Sequence, residues 1–289
     1  MFRRSLPSFD PADPKCDRDA LAAHISIAYH FAMGRFATTV ALYEELRPPY
    51  PPAFFATVAH ELKLSKQHAL IDLGTGPGLL ALGFGAYVGR ITGVDPEPEM
   101  LAAARAAAAR EGQTLTLTES RAEDLGCDIG RFDLVTIGRA LHWMDEAALG
   151  PLFQRLVAAD GVVAVCASFS VRDERNAWLE AYTTARRAWS DQRLWLDSRK
   201  GERAHRELAT VLAGTGFQPA ETIRVETTQE VSVERLARRV LTFSSSSPGA
   251  LGDKVDAMLA DVEGRLAPFA RDGILTEVVV STAQLARRD

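Results

Sequence analysis

The sequence predicts an α/β protein built on a doubly wound sheet. Short apolar runs alternate with helix-like segments from residue 69 to residue 167. That alternation implies right-handed strand–helix–strand crossovers and therefore parallel strands. The first apolar run ends in a glycine-rich turn, the point at which such sheets bend the chain around a ligand. Composition agrees: of 289 residues, 47% are hydrophobic and 25% charged, which suits a buried core and excludes disordered, collagenous and coiled-coil chains.

The elements follow in order. The first 18 residues, rich in Pro, Asp and Arg, read as an irregular arm, and Leu21 to Leu46 as a helix. Arg47-Pro48-Pro49-Tyr50-Pro51-Pro52 must be extended, because each proline fixes φ and disfavours α in the residue before it. A second helix is expected over Ala53–Leu62. Ala69–Leu73 is short, apolar and closed by glycines, which suits a strand covered on both faces. Leu79–Val88 reads as helix and Arg90–Val94 as the second strand. Glu97–Arg110 is an Ala-rich helix behind Asp95-Pro96. Thr114–Thr118 and Phe132–Ile137 are the third and fourth strands. Glu146–Ala158 is a helix, and Val162–Ala167 a fifth strand after the Asp160-Gly161 turn.

The regularity then lapses. Asp173 to Thr215 is mostly helical and carries Trp178, Trp189 and Trp195. Glu221–Val231 reads as a strand, Val233–Phe243 and Leu251–Leu266 as helices, and Leu275–Ala283 as the last strand. One domain results: an N-terminal arm and helix (1–52), a core (53–170), a helical insertion (171–217), and the last two strands with further helices (218–289).

Charge and cysteine content narrow the function. The formal net charge is −5, and the Arg186-Arg187, Arg238-Arg239 and Arg287-Arg288 doublets lie far apart as solvated faces. No general field attracts nucleic acid or anionic lipid, so neither partner is expected. Cys16, Cys127 and Cys166 are too few for a disulfide framework and show no CxxC spacing. The histidines form no HExxH, and no metal is expected. Met1-Phe2-Arg3-Arg4 is followed by Pro7 and Asp10 rather than an apolar run, and the uncharged stretch Leu73–Gly89 is broken by glycines. A cytoplasmic protein without a membrane span is expected.

The chemistry centres on Ile71-Asp72-Leu73-Gly74-Thr75-Gly76-Pro77-Gly78. Glycines at alternate positions let the backbone pass close to a ligand. A dinucleotide site needs Gly or Ala six positions into the motif, where Leu79 stands, and Asp72 would oppose a pyrophosphate. A cofactor with an ammonium and a sulfonium group tolerates that carboxylate. Asp95, 21 residues past Gly74, ends the second strand, where an acid can accept ribose hydroxyls.

From Tyr43 to Ala167 the chain resembles the class I S-adenosylmethionine-dependent methyltransferases, in the small-molecule branch called type 11. The D-x-G-x-G-x-G turn carries the resemblance, with Val94-Asp95-Pro96 and Met100-Leu101 behind it. Arg121-Ala122-Glu123-Asp124-Leu125, Phe132-Asp133-Leu134-Val135 and Ala140-Leu141-His142-Trp143 follow in the family's order. Upstream, Tyr43 through Arg47-Pro48 to Tyr50-Pro51 resembles the branch's arm over the cofactor site.

The resemblance implies a Rossmann-like seven-stranded sheet, with helical lids after strand 5 and between the last two strands. It implies S-adenosylmethionine as cofactor and S-adenosylhomocysteine as product. Asp72, Gly74, Thr75, Gly76 and Gly78 would cradle the methionine part, and Asp95 the ribose. Pro96 and Met100 would flank the adenine, with Ala122 and Glu123 at its edge. Arg121 departs from a position that is often Asp. Gly138 and Arg139 would lie beside the methyl group, and Tyr43 and Arg47 would reach the cofactor carboxylate. His142 is either a general base or a residue that shapes the site. Trp143, Ser168, Trp178 and Trp189 are candidates for the acceptor side, although the near-helical spacing of Trp178, Trp189 and Trp195 favours packing of a lid on the sheet.

The expected reaction is in-line displacement by a small-molecule O, N or carboxylate acceptor, and a base is needed only where the acceptor carries a proton. A catalytically silent cofactor- or partner-binding protein is the alternative on the same fold. A nucleic-acid enzyme is disfavoured, because the turn after the fourth strand is Gly138-Arg139-Ala140-Leu141 and not Asn-Pro-Pro-aromatic.

Overall fold

The computed structural model describes residues 42, 45–47, 50–190, 192 and 208–289. The irregular arm, most of the Leu21–Leu46 helix, Tyr43 and Trp195 lie outside the described residues.

The sheet has seven strands: β1 Ala69–Leu73, β2 Arg90–Asp95, β3 Thr116–Glu119, β4 Phe132–Gly138, β5 Val157–Ser170, β6 Phe217–Ser232 and β7 Ile274–Arg288. Their spatial order is β3-β2-β1-β4-β5-β7-β6. The first five run parallel, and β7 enters antiparallel between β5 and β6. All of β1 is buried, as a central parallel strand with helices on both faces should be.

Helix α1, Pro52–Glu61, starts on a proline whose missing N–H is no loss at that position. Helix α2, Leu79–Gly83, is shorter than the expected Leu79–Val88. The Phe55 ring seats directly on Gly83, where an added Cβ would come within 2.0 Å, and the chain turns there instead of continuing. Helix α3 is Pro98–Arg110. Helix α4, Glu146–Leu156, is capped by the Asp145 carboxylate accepting from the Ala147 N–H. It ends two residues early, because Val157 already pairs with Phe132. A register shift follows before Leu134 meets Val162, so β5 begins earlier than the expected Val162.

Beyond β5 come α5, Leu179–Trp189, and α6, Leu208–Leu212. Between β6 and β7 lie α7, Val233–Arg239, α8, Pro248–Leu251, and α9, Val255–Leu266. Both final strands exceed the expected Glu221–Val231 and Leu275–Ala283. They pair with each other almost end to end, and backbone pairing continues where their side chains turn polar.

Two apolar clusters cover the sheet, one beneath α4 and α6, the other beneath α1 and α2. A third joins Trp178, just before α5, and Tyr182 of α5 to Leu236 of α7, Met258 and Val262 of α9, and Leu275 of β7. Helix α5 and the helices between the last strands thus share one core. Among the described residues no helix is long and apolar enough to cross a membrane.

Candidate functional site

A cavity opens over the C-terminal ends of β1, β2 and β4, the crevice that such sheets use for ligands. Its floor is the turn from β1 into α2. Gly74 and Gly76 hold φ of +67° and +54°, and a Cβ on Gly74 would lie 2.4 Å from that of Ala140. Gly78, at φ +88°, packs on Leu82 and Ala104 and shapes the turn without lining the cavity.

Asp72, the residue before the last of β1, is almost fully buried and lines the cavity. Its oxygens accept from the Thr136 hydroxyl at 2.7 Å and the Thr75 hydroxyl at 2.8 Å. Burial pushes its carboxyl up to about 6, against the pull of the two hydroxyls, and Asp95 adds repulsion. Among the described residues no basic side chain bonds it. Asp95 is held by the Gly76 N–H at 2.8 Å and the Glu97 N–H at 3.0 Å, which locks the glycine turn to the end of β2. Burial raises its carboxyl too, partly offset by those N–H bonds.

Pro96, Met100 and Ala122 form an apolar wall. Glu123 beside them accepts from the Asp145 N–H at 2.6 Å and from Arg121 at 3.2 Å. Across the cavity, Gly138 leaves room that a Cβ would deny, since Leu80 would be 2.5 Å away. Arg139 follows at φ +58°, donates to the Ser168 carbonyl at 3.2 Å, and sits 5.3 Å from the Tyr50 ring. A left-handed arginine is strained by about 1 kcal/mol, so its direction is enforced by its surroundings.

The cavity therefore brings together Asp72, Gly74, Thr75, Gly76, Asp95, Pro96, Met100, Ala122, Glu123, Gly138, Arg139 and Trp143. Other expected site residues stand elsewhere. His142 lies in the helical turn Leu141–Trp143 with its ring 4.8 Å from that of Trp143, and does not line the cavity. Arg47 stacks over Phe243 at 4.0 Å and donates to the Thr242 carbonyl. Ser168 is buried, its hydroxyl paired with Ser281. Trp178 is core, its indole N–H donating to the Thr276 carbonyl at 2.9 Å, and Trp189 donates to Asp261 at 2.8 Å. Trp178 caps α5 and Trp189 ends it, and both pack in the third apolar cluster. Tyr50, Glu97 and Met144 line the cavity without having been singled out for it. For Tyr50 the signal was there, an aromatic residue fixed between prolines; Glu97 and Met144 carry none beyond adjacency to Asp95 and Trp143.

A methyltransferase-domain family model matches residues 70–159. An uncharacterized methyltransferase of Mycobacterium tuberculosis is 33% identical over 144 residues, 50% of this chain and 55% of that one. The chain thus matches about half the length of its mycobacterial relatives. An uncharacterized methyltransferase of Schizosaccharomyces pombe is 25% identical over 214 residues, 73% of this chain and 78% of its own. Among solved structures, a putative type II methyltransferase from Anaeromyxobacter dehalogenans aligns with a TM-score of 0.59 at 19% identity, covering 84% of this chain and 97% of that one. A methyltransferase from Geobacter sulfurreducens in complex with S-adenosylhomocysteine gives 0.51 at 15% identity, covering 88% and 98%. Such identities speak for a shared fold, while the glycine turn and the matched domain speak for kinship. Residues 70–159 of this chain match the methyltransferase domain for which these relatives are named.

Proposed function

We infer that the chain binds S-adenosylmethionine in this cavity and transfers its methyl group to a small-molecule O, N or carboxylate acceptor. The observation that carries the reading is Asp72, a buried carboxylate beside a glycine turn that lines the cavity and, among the described residues, is bonded by hydroxyls and by no basic side chain. An ammonium or sulfonium group supplies the charge that Asp72 lacks, and a pyrophosphate would worsen it. Asp95 and Glu97 are suited to ribose hydroxyls, and Met100, Pro96 and Ala122 to the adenine faces. Bound S-adenosylmethionine supplies an electrophilic methyl carbon.

The chain's own task is to position and to exclude water. Tyr50 and Arg139 bound the cavity at the end of β4, the side left for the acceptor. Since His142 is off the lining, a base role for it has no support, and its part is to hold Trp143. Residues 1–52 then act as a strap over the cofactor, and residues 171–217 with the helices after β6 choose the acceptor. The support is the path of the strap: Tyr50 lines the cavity while Arg47 reaches the segment behind α7.

Calorimetric titration with S-adenosylhomocysteine, with NADH as comparison, tests the reading. Micromolar binding of the first and none of the second is expected. Binding of NADH alone, or of neither, overturns it.

A further inference from the structure

We propose that Thr136 is a positioning residue for the cofactor: from the neighbouring strand its hydroxyl holds the Asp72 carboxylate ionised and aimed, so that cofactor binding in acid expels a proton from Asp72 to solvent. The inference rests on the reading of Asp72 above and adds to it the residue that keeps that group charged.

The register of the sheet builds the arrangement. Asp72 of β1 stands opposite Thr136 of β4 on one side and Gly93 of β2 on the other. Register partners in a parallel sheet put their side chains on one face, so Thr136 reaches Asp72 directly. Its hydroxyl donates at 2.7 Å, against 3.5 Å to its other acceptor, the Ile71 carbonyl. On the opposite side Gly93 has no side chain, and Thr75 fills the space. A Cβ on Gly93 would come within 2.9 Å of the Thr75 methyl and 3.1 Å of its hydroxyl. From there Thr75 donates to the second carboxylate oxygen at 2.8 Å. Both threonines are buried, Thr136 completely. Thr75 lines the cavity and Thr136 does not, so Thr136 acts through Asp72.

Neutral donors suit this place. A basic side chain would pair with the carboxylate and cancel the charge that an ammonium or sulfonium group seeks. A hydroxyl favours the ionised form and leaves its charge in place. Burial is the largest influence on this carboxyl, and Thr136 is the largest of those that oppose it. Thr75 pulls the same way, and the Ala81 N–H of α2 least. The charged and titratable neighbours give no such help. Asp95 at the end of β2 repels Asp72, and Cys166 of β5 lies within electrostatic reach, its thiol kept neutral by burial and then by Asp72. Glu97, Arg121, Glu123 and Arg139 stand on other walls of the cavity. Loss of the Thr136 hydroxyl therefore tips Asp72 towards the neutral acid, which does not attract a cation.

The full chain is titrated calorimetrically with S-adenosylhomocysteine at pH 5, 6, 7.5 and 8.5. Two buffers of different ionisation enthalpy at each pH read affinity and proton release together. Asp72 titrates at about 6 in the free chain, so affinity should be full above about pH 7 and about ten-fold weaker at pH 5, with a proton released on binding in acid. 5′-Methylthioadenosine, which keeps adenine and ribose but has no ammonium group, should show no such fall. Thr136→Val should move the midpoint up by roughly one pH unit, and Thr136→Ser should restore it. Where Thr136→Val fails to fold, Thr136→Cys, with a weak donor of similar size, should give the same upward move. A role in packing alone would weaken binding equally at every pH and leave the midpoint in place, and that result overturns the proposal. So does an affinity that ignores pH, or one that falls equally for the two ligands. If S-adenosylhomocysteine does not bind even at pH 8.5, the cofactor reading falls first and takes this inference with it.

Discussion

Asp72 is surrounded by chemistry that opposes its own charge. Its carboxyl titrates at about 6 against an ordinary 3.8, so folding favours the protonated form. The stabilisation from that proton is complete below the ordinary value and is lost as pH rises through about 6. At pH 8 the folded, ligand-free chain carries a penalty of about 3 kcal/mol for the ionised group. Asp72→Asn should therefore raise the melting temperature at pH 8 by a few degrees, with the gain shrinking towards pH 5. The same change should weaken S-adenosylhomocysteine at least ten-fold. Scanning calorimetry at both pH values checks the first claim, and equal melting temperatures at pH 8 would refute it. The position of Asp72 was legible from the motif alone. Its strain was not, because that depends on burial and on Thr136, a residue 64 positions away on a neighbouring strand. The side of the Leu141–Trp143 turn on which His142 lies was not legible either, because adjacency in sequence does not say which way a tight helical turn faces.

At the scale of the element, the turn between β1 and α2 works by close approach. Gly74 and Gly112 have similar left-handed angles, φ +67° and +63°. An added Cβ on Gly74 would collide with Ala140, whereas Gly112 has nothing within 4 Å. Gly112→Ala should lower stability by about 1 kcal/mol, the cost of the backbone angle, and leave cofactor affinity alone. Gly74→Ala should lower S-adenosylhomocysteine affinity at least ten-fold by forcing the β1 and β4 loops apart. Parallel titration and urea unfolding of the two variants separate the effects, and equal losses of affinity would sink the distinction. The central strands β1, β2 and β4 were readable to within a residue, since a strand buried on both faces is a short, mostly apolar run bounded by turn residues. The helix α2 was over-read, because Phe55 arriving from α1 is invisible in local composition. The last two strands were under-read, since β6 exposes most of its side chains and its pairing rests on the backbone.

At the scale of the molecule, Arg239 and Glu277 hold the parts together. Arg239 leaves α7, grips Glu277 on β7, and donates to the Leu46 carbonyl of the strap at 2.9 Å. Ser170 of β5 and Gln229 of β6 complete the ring around the carboxylate. Burial alone would raise the Glu277 carboxyl, but Arg239 and the two neutral donors outweigh it and hold it below its ordinary 4.5. Its contribution to stability is accordingly present above 4.5 and disappears as pH falls through the lower folded value. Glu277→Gln strands a guanidinium in the interior and should lower stability by about 3–5 kcal/mol. Replacing both partners, Arg239→Met with Glu277→Leu, should lower it by much less. Urea unfolding of the single and double variants decides, and a single variant no worse than the double would overturn this account. None of this was legible in the sequence, where Arg239 is half of a doublet that reads as a solvated face and Glu277 is one acid among many.

The place of β7 governs the order in which the protein can be made. Every other strand of the sheet is synthesised before it, yet it lies inside, with β5 on one side and β6 on the other. Until Ile274–Arg288 has left the ribosome, β6 has no strand to join and the Val-Val-Ala-Val run of β5 is a bare, sticky border. A nascent chain halted before that point is thus primed to pair with its neighbours on the polysome. Completion of the sheet is in effect a release step, the moment at which an adhesive intermediate becomes a self-contained molecule.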